Sequence, residues 1–210
     1  MLTGIYKPTY GEIYVDGKPF SQYGTDIQGG FGICSQFDYF WPHFSPRQMF
    51  MVIGLFRGFD RDTVTSECER LLKVFSLYKH IDGDTKTFSG GMKRKLSVAL
   101  ACMKGFNTII LDEPTSGMDP ISRLEVWNAI NAMKKDHTII LTTHSMEEAD
   151  VMSDRIAIMY MGRLRAIGSP YGLKETHGKG YKLDVSLNDN CNANEIFDLM
   201  NVMTGTLREA

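Results

Sequence analysis

The apolar run Ile109-Ile110-Leu111 leads directly into two carboxylates, Asp112 and Glu113. At the end of a sheet strand the first can help hold a Mg²⁺ that bridges phosphate oxygens. The second points elsewhere and can orient or deprotonate a water. Alone, the pair also suits a strand that simply ends at solvent. Phe88-Ser89-Gly90-Gly91-Met92 opens a helical pattern. Backbone N–H groups at a helix start attract anions, glycines let a phosphate come close, and the Ser89 hydroxyl adds a hydrogen bond. An ordinary N-cap uses the same residue types. His144 follows a second apolar run, Thr138-Ile139-Ile140-Leu141, and so reaches the same kind of edge. An imidazole there can bond a terminal phosphate and the attacking water. Gln36 leaves the run Phe31–Ser35, where a neutral amide can sense a metal-bound water.

The elements that must position these groups are legible from pattern. Glu12–Val15 reads as a strand followed by the turn Asp16-Gly17, and Phe31–Ser35 as a buried strand. Ser45-Pro46 starts a helix to about Phe56. Cys68, Leu71, Leu72 and Phe75 space a second helix. Met92, Leu96, Ala99, Leu100 and Met103 give the apolar face of a third, with Lys93, Arg94, Lys95 and Ser97 mostly on its other face. Thr108–Leu111 and Thr138–Leu141 read as strands buried on both faces of a parallel sheet. Asp119-Pro120 caps a helix to about Lys135, Ser145 and Glu148 form a capping box, and Arg155–Met161 with Leu164–Ile167 form a hairpin around Gly162. Alternating buried strands and helices predict an α/β fold with a parallel sheet core, an N-terminal β part and an inserted all-helical subdomain at about 45–104. From Gly178 the texture shifts, so residues 1–176 form the main domain and 177–210 the start of a small second one.

Composition narrows the functions. The chain has 210 residues, 43% hydrophobic and 23% charged, enough for a core and too apolar for general disorder. Its formal net charge of −2 gives no reason to bind nucleic acid or an anionic bilayer. Met49–Phe56 is the longest strongly apolar stretch, far short of the roughly 20 residues a membrane helix needs. Cys34, Cys68, Cys102 and Cys191 form no CxxC pair, so neither a zinc site nor a disulfide framework is suggested.

Jointly, Gln36, Ser89-Gly90-Gly91, Asp112-Glu113, Asp119 and His144 reproduce the order of the ATP-binding cassette motifs. The chain resembles an ABC ATPase domain, a P-loop NTPase-type fold, over nearly all of residues 1–176. Phe88–Ser97 looks like the signature motif, Leu111–Pro120 like Walker B running into the D-loop, and Thr142–Asp150 like the switch-histidine loop. Gly-Gly-Met-Lys-Arg-Lys and Ser-Gly-Met-Asp-Pro-Ile-Ser-Arg are similar to subfamily A transporters. The resemblance implies ATP and Mg²⁺ as cofactors and catalytic roles for Glu113 and His144. It implies nucleotide contacts from Gln36, Ser89, Gly90, Gly91 and Asp119, and Mg²⁺ contacts from Asp112 and Gln36. It also implies a second cassette arranged head to tail, so that a magnesium–triphosphate lies between two modules. Transmembrane domains would be met through Phe37–Phe44, the location would be the cytoplasmic face of a membrane, and the substrate would be a lipid. The same aromatics could instead be core packing.

The motif GxxxxGK followed by Ser or Thr, which cradles the β- and γ-phosphates, does not occur in this chain. The Gly-Lys pairs are Gly17-Lys18 and Gly178-Lys179, followed by Pro19 and Gly180. With Met1–Gly4 reading as a helix end, this predicts a chain truncated after the P-loop that hydrolyses ATP poorly alone. Competing readings are a soluble ABC ATPase acting on ribosomes or DNA, and a non-catalytic cassette remnant.

Overall fold

The computed structural model describes residues 1–178 except Tyr39 and Pro42. The chain divides into two compact units, Met1–Pro170 and Tyr171–Ala210. Of the second, the described part is the end of a helix, Pro170–His177. The domain expected over 177–210 therefore lies outside the described residues, apart from His177 and Gly178, as does Cys191.

The first unit opens with a turn rather than a helix end. The Gly4 N–H donates to the Met1 carbonyl (2.8 Å), with Gly4 at φ +75°. Strands β1 (Tyr14–Val15) and β2 (Lys18–Pro19) pair antiparallel across Asp16-Gly17. They are shorter than the expected β part because Phe20–Gly29 coils into helix α1, kinked at Tyr23. Strand β3 (Phe31–Cys34) follows.

Helix α2 (Pro46–Phe56) starts where Ser45-Pro46 directs it. The Ser45 hydroxyl accepts from the Gln48 N–H, and the Gln48 side chain accepts from the Ser45 N–H. Such reciprocal caps satisfy backbone donors that the helix leaves orphaned. Helix α3 (Arg61–Val74) is capped by Asp60, and two short 3₁₀ turns, Tyr78–His80 and Thr85–Thr87, lead to helix α4 (Gly90–Ala101). Every regular element described between Ser45 and Lys104 is helical. This segment shares one core with the sheet: Phe50, Leu71, Leu72, Phe75 and Leu96 cluster with Ile109 and Leu111, all essentially inaccessible to solvent. Burying each such side chain is worth about 1.5–3 kcal/mol. Sheet and helices meet so closely that a Cβ on Gly32 would lie 1.8 Å from the Ala101 carbonyl oxygen.

The remaining elements are β4 (Thr108–Asp112), α5 (Pro120–Met133), β5 (Thr138–Thr142), α6 (Met146–Met152), β6 (Ile156–Tyr160), β7 (Arg163–Gly168) and α7 (Pro170–His177). Strands β3, β4 and β5 form a parallel sheet in that order, with Cys34 paired to Leu111 and Leu111 to Leu141. Strands β6 and β7 form the expected hairpin, with Met161 and Gly162 both at positive φ, as a two-residue turn between twisted strands requires.

Three further expectations are corrected. Strands β4 and β5 are not buried on both faces. The row Ile33, Ile110, Ile140 faces away from the core, with Ile33 44% and Ile140 37% exposed, while Ile109 and Leu111 are buried in the core they share with the helices. Arg94 and Lys95 do not lie on an outer face. Both are buried, because Arg94 finds backbone carbonyls and Lys95 pairs with Glu125 of α5. The capping box at α6 is half made. Ser145 accepts from the Glu148 N–H, but the Glu148 carboxylate turns inward to the Thr115 hydroxyl (2.8 Å) and the Trp127 indole N–H (3.0 Å). Among the described residues no helix is long and apolar enough to cross a membrane.

Candidate functional site

Parallel strands carry their carboxyl ends to one edge, where α/β sheets bind ligands. At that edge β4 ends in Asp112, with Glu113 next, and β5 ends in Thr142, with His144 two residues on. The His144 Nδ1 lies 3.1 Å from the Glu113 Oε2. The Glu113 side chain is 25% exposed and that of His144 76%, so the carboxylate sits inside and the imidazole outside. Gln36 is two residues beyond Cys34, as Glu113 is two beyond Leu111, and it is exposed at the same edge.

Glu113 has φ +46°, a left-handed backbone unusual for a side-chain-bearing residue. Its peptide is held on both sides. Its N–H donates to the Thr142 carbonyl (3.0 Å) and hydroxyl (3.2 Å). Its carbonyl accepts from the Ser116 N–H (3.2 Å) and from Arg94 (2.8 Å). The Thr142 hydroxyl in turn donates to Asp112, which remains exposed. One threonine thus ties both carboxylate-bearing residues to β5. A cleft of about 330 Å³ adjoins the pair, lined among others by Glu113, Ser116, Arg123, His144 and Glu148.

A second group forms where α4 and α5 begin. Ser89 caps α4, its hydroxyl accepting from the Met92 N–H (3.2 Å) and keeping its own proton to donate outward. Asp119 caps α5, accepting from the Ser122 N–H (3.0 Å). These bonds hold its carboxyl below its usual range. A Cβ on Gly91 would lie 3.6 Å from the Ser122 hydroxyl and 3.9 Å from Asp119, so the two helix starts are neighbours. A Cβ on Gly90 would meet nothing within 4 Å, so packing inside the chain does not require glycine there.

The predicted residues therefore fall into two groups: Asp112, Glu113, His144 and Gln36 on the sheet edge, and Ser89, Gly90, Gly91 and Asp119 at the helix starts. Of the aromatics after Gln36, Phe37 (67%) and Trp41 (49%) are exposed, whereas Phe40 and Phe44 pack against the core, and Tyr39 lies outside the described residues. Reasoning from the sequence alone missed Arg94, Thr142 and Glu148. An arginine on the polar side of a helical pattern gives no signal of burial.

The family model for ABC transporters matches residues 1–116. The chain belongs to the ABC transporter family. Human phospholipid-transporting ATPase ABCA3 is 38% identical over 200 residues, covering 95% of this chain and 12% of that protein. Human glucosylceramide transporter ABCA12 is 39% identical over 206 residues, covering 96% and 8%. ABC transporter A family member 11 of Arabidopsis thaliana is 44% identical over 197 residues, covering 93% and 21%. The chain thus resembles subfamily A and spans between 8% and 21% of the length of these relatives. A solved structure described as that of the ATP-binding subunit of an ABC transporter superposes with a TM-score of 0.75 at 20% identity. It covers 95% of this chain and 80% of that one, a likeness of fold.

Proposed function

We propose that this chain is cassette sequence of a subfamily A transporter that hydrolyses ATP to move a lipid across a membrane. The observation that carries the reading is the Glu113–His144 pair, 3.1 Å apart at the carboxyl edge of the sheet in a member of this family. Glu113 takes a proton from water as the water oxygen attacks the γ-phosphorus and the bond to the β–γ bridging oxygen breaks. His144 orients the carboxylate and the water from the solvent side. Mg²⁺ supplies neutralisation of phosphate charge in such reactions. The donors fit it: Asp112 is an exposed hard carboxylate. Among the described residues no group of three or more His, Cys, Asp or Glu could hold a metal unaided, so phosphate and water would complete the shell, as Mg²⁺ favours. Gln36 stands at the same edge for the metal-bound water.

Ser89, Gly90, Gly91 and Asp119 face the nucleotide of a second cassette in head-to-tail pairing, which explains a glycine at 90 that internal packing does not demand. The exposed Phe37 and Trp41 are the surface offered to transmembrane domains, with the chain at the cytoplasmic face of the membrane. A lipid substrate is favoured by relatives named for phospholipid and glucosylceramide transport. In the intact transporter Glu113→Gln removes the base and spares the metal ligand. ATP binding should stay within about two-fold while turnover falls about 100-fold or more. Unchanged turnover would remove Glu113 from this role.

A further inference from the structure

The Arg94 guanidinium is buried, 4% exposed, yet its partners are mostly neutral carbonyls. Nε donates to the Pro114 carbonyl (3.0 Å), one terminal nitrogen to the Asp112 (2.6 Å) and Glu113 (2.8 Å) carbonyls, and the other to the Ser35 carbonyl (2.6 Å) and the Asp38 carboxylate (3.0 Å). Ser97, three residues further along α4, fixes Asp38 by a second hydrogen bond (2.6 Å). A single side chain on the helix that begins at Ser89 therefore grips three consecutive peptides, 112 to 114, and the backbone just before Gln36. At the centre of those peptides lies Glu113, in its left-handed conformation.

We infer that Arg94 is a positioning residue for hydrolysis. Its planar fork holds the Glu113 peptide in the one orientation that aims the carboxylate at His144, and it ties that peptide to the Gln36 turn and to the signature helix. Lysine cannot replace it. An ammonium keeps the charge for Asp38 but has three donors on one atom, whereas the guanidinium spreads five across a rigid plane. The inference rests on Glu113 acting as the base, and the test separates the two ideas.

Arg94→Lys, Glu113→Gln and the double variant are compared in the intact transporter, with hydrogen exchange of the 210-residue chain as a direct readout of the peptide. Arg94→Lys should lower kcat about 10-fold or more with the KM for ATP within about three-fold, because misplacing a reacting group costs rate rather than binding. Adding it to Glu113→Gln should lower kcat no further, since a residue acting through the carboxylate has nothing left to position. The amides of Glu113 and Ser116 should exchange faster while those of α3 do not. If Arg94→Lys keeps kcat within two-fold while Glu113→Gln is slow, or if the two losses multiply, the inference is overturned and the base assignment stands. If both variants turn over normally, the base assignment falls as well. Should Arg94→Lys fail to fold, Asp38→Asn carries the test. It removes the negative charge opposite one arm of the fork and so weakens that arm, which keeps its bond to the Ser35 carbonyl, and the same lack of further loss on Glu113→Gln is expected; multiplied losses overturn the inference.

Discussion

Glu113 carries a cost at the level of its own backbone. A left-handed conformation disfavours a residue with a Cβ by about 1–2 kcal/mol, and its peptide keeps that shape through bonds to Thr142, Ser116 and Arg94. Such strain, over-determined by neighbours, is common where a side chain must be aimed. The cysteines show the opposite economy. Burial pushes the thiols of Cys34 and Cys68 up to about 11 and about 12, and raises Cys102 further. At pH 8 the thiolate of Cys34 is then about one part in a thousand. Alkylation with iodoacetamide should leave all three unmodified in the native chain and label them in denaturant, as peptide mass spectrometry would read. Rapid native labelling of Cys34 would contradict the packing of β3 against α4.

At the scale of elements, helix caps set both local stability and the faces that look outward. Asp119 and Asp60 cap α5 and α3, and hydrogen bonds from Ser122 and Thr63 hold each carboxyl below its ordinary 3.8. Both groups bind protons less readily folded than unfolded. Their stabilisation is therefore complete above about pH 4–5 and is lost as pH falls through the lowered folded values. Asp119→Asn keeps a capping oxygen without a titrating charge. Melting curves between pH 7 and 3 should show a shallower acid loss for this variant, with little change at pH 7. An unchanged acid slope would show that the Asp119 cap contributes nothing to it. Helix α4 gains rigidity differently, through Arg94 to the sheet and Lys95 to Glu125.

At the largest scale, the core of the first unit lies, among the described residues, on one side of the sheet. Ile109 and Leu111 are buried in the core shared with the helices, while Ile33, Ile110 and Ile140 form a partly exposed row on the other face, and β5 is the last strand of the described sheet. The chain brings Glu113 and His144 together at the sheet edge and sets the starts of α4 and α5 side by side, but its sequence has no GxxxxGK segment of the kind that cradles phosphates. Purified alone, the 210 residues should hydrolyse ATP at about a hundredth of the intact transporter's rate or less, measured by phosphate release. Robust turnover by the isolated chain would show that these residues bind nucleotide without that loop.

Local signals made much of this legible. Ser45-Pro46 and Asp119-Pro120 marked helix starts because capping is a matter of a few adjacent residues, and the runs ending at Leu111 and Leu141 marked strands because β-branched side chains favour a pleated surface. Motif order alone set Glu113 and His144 as partners across a sheet. Helix α1 escaped because its residues are mostly polar, show no clean period, and bend at Tyr23. Where Arg94 and Glu148 point was decided only by tertiary structure. Burying a charged group depends on which carbonyls and donors arrive from distant segments, and spacing along one helix carries no record of them. The amino-acid order determined which groups could act on a phosphate; packing decided what holds them still.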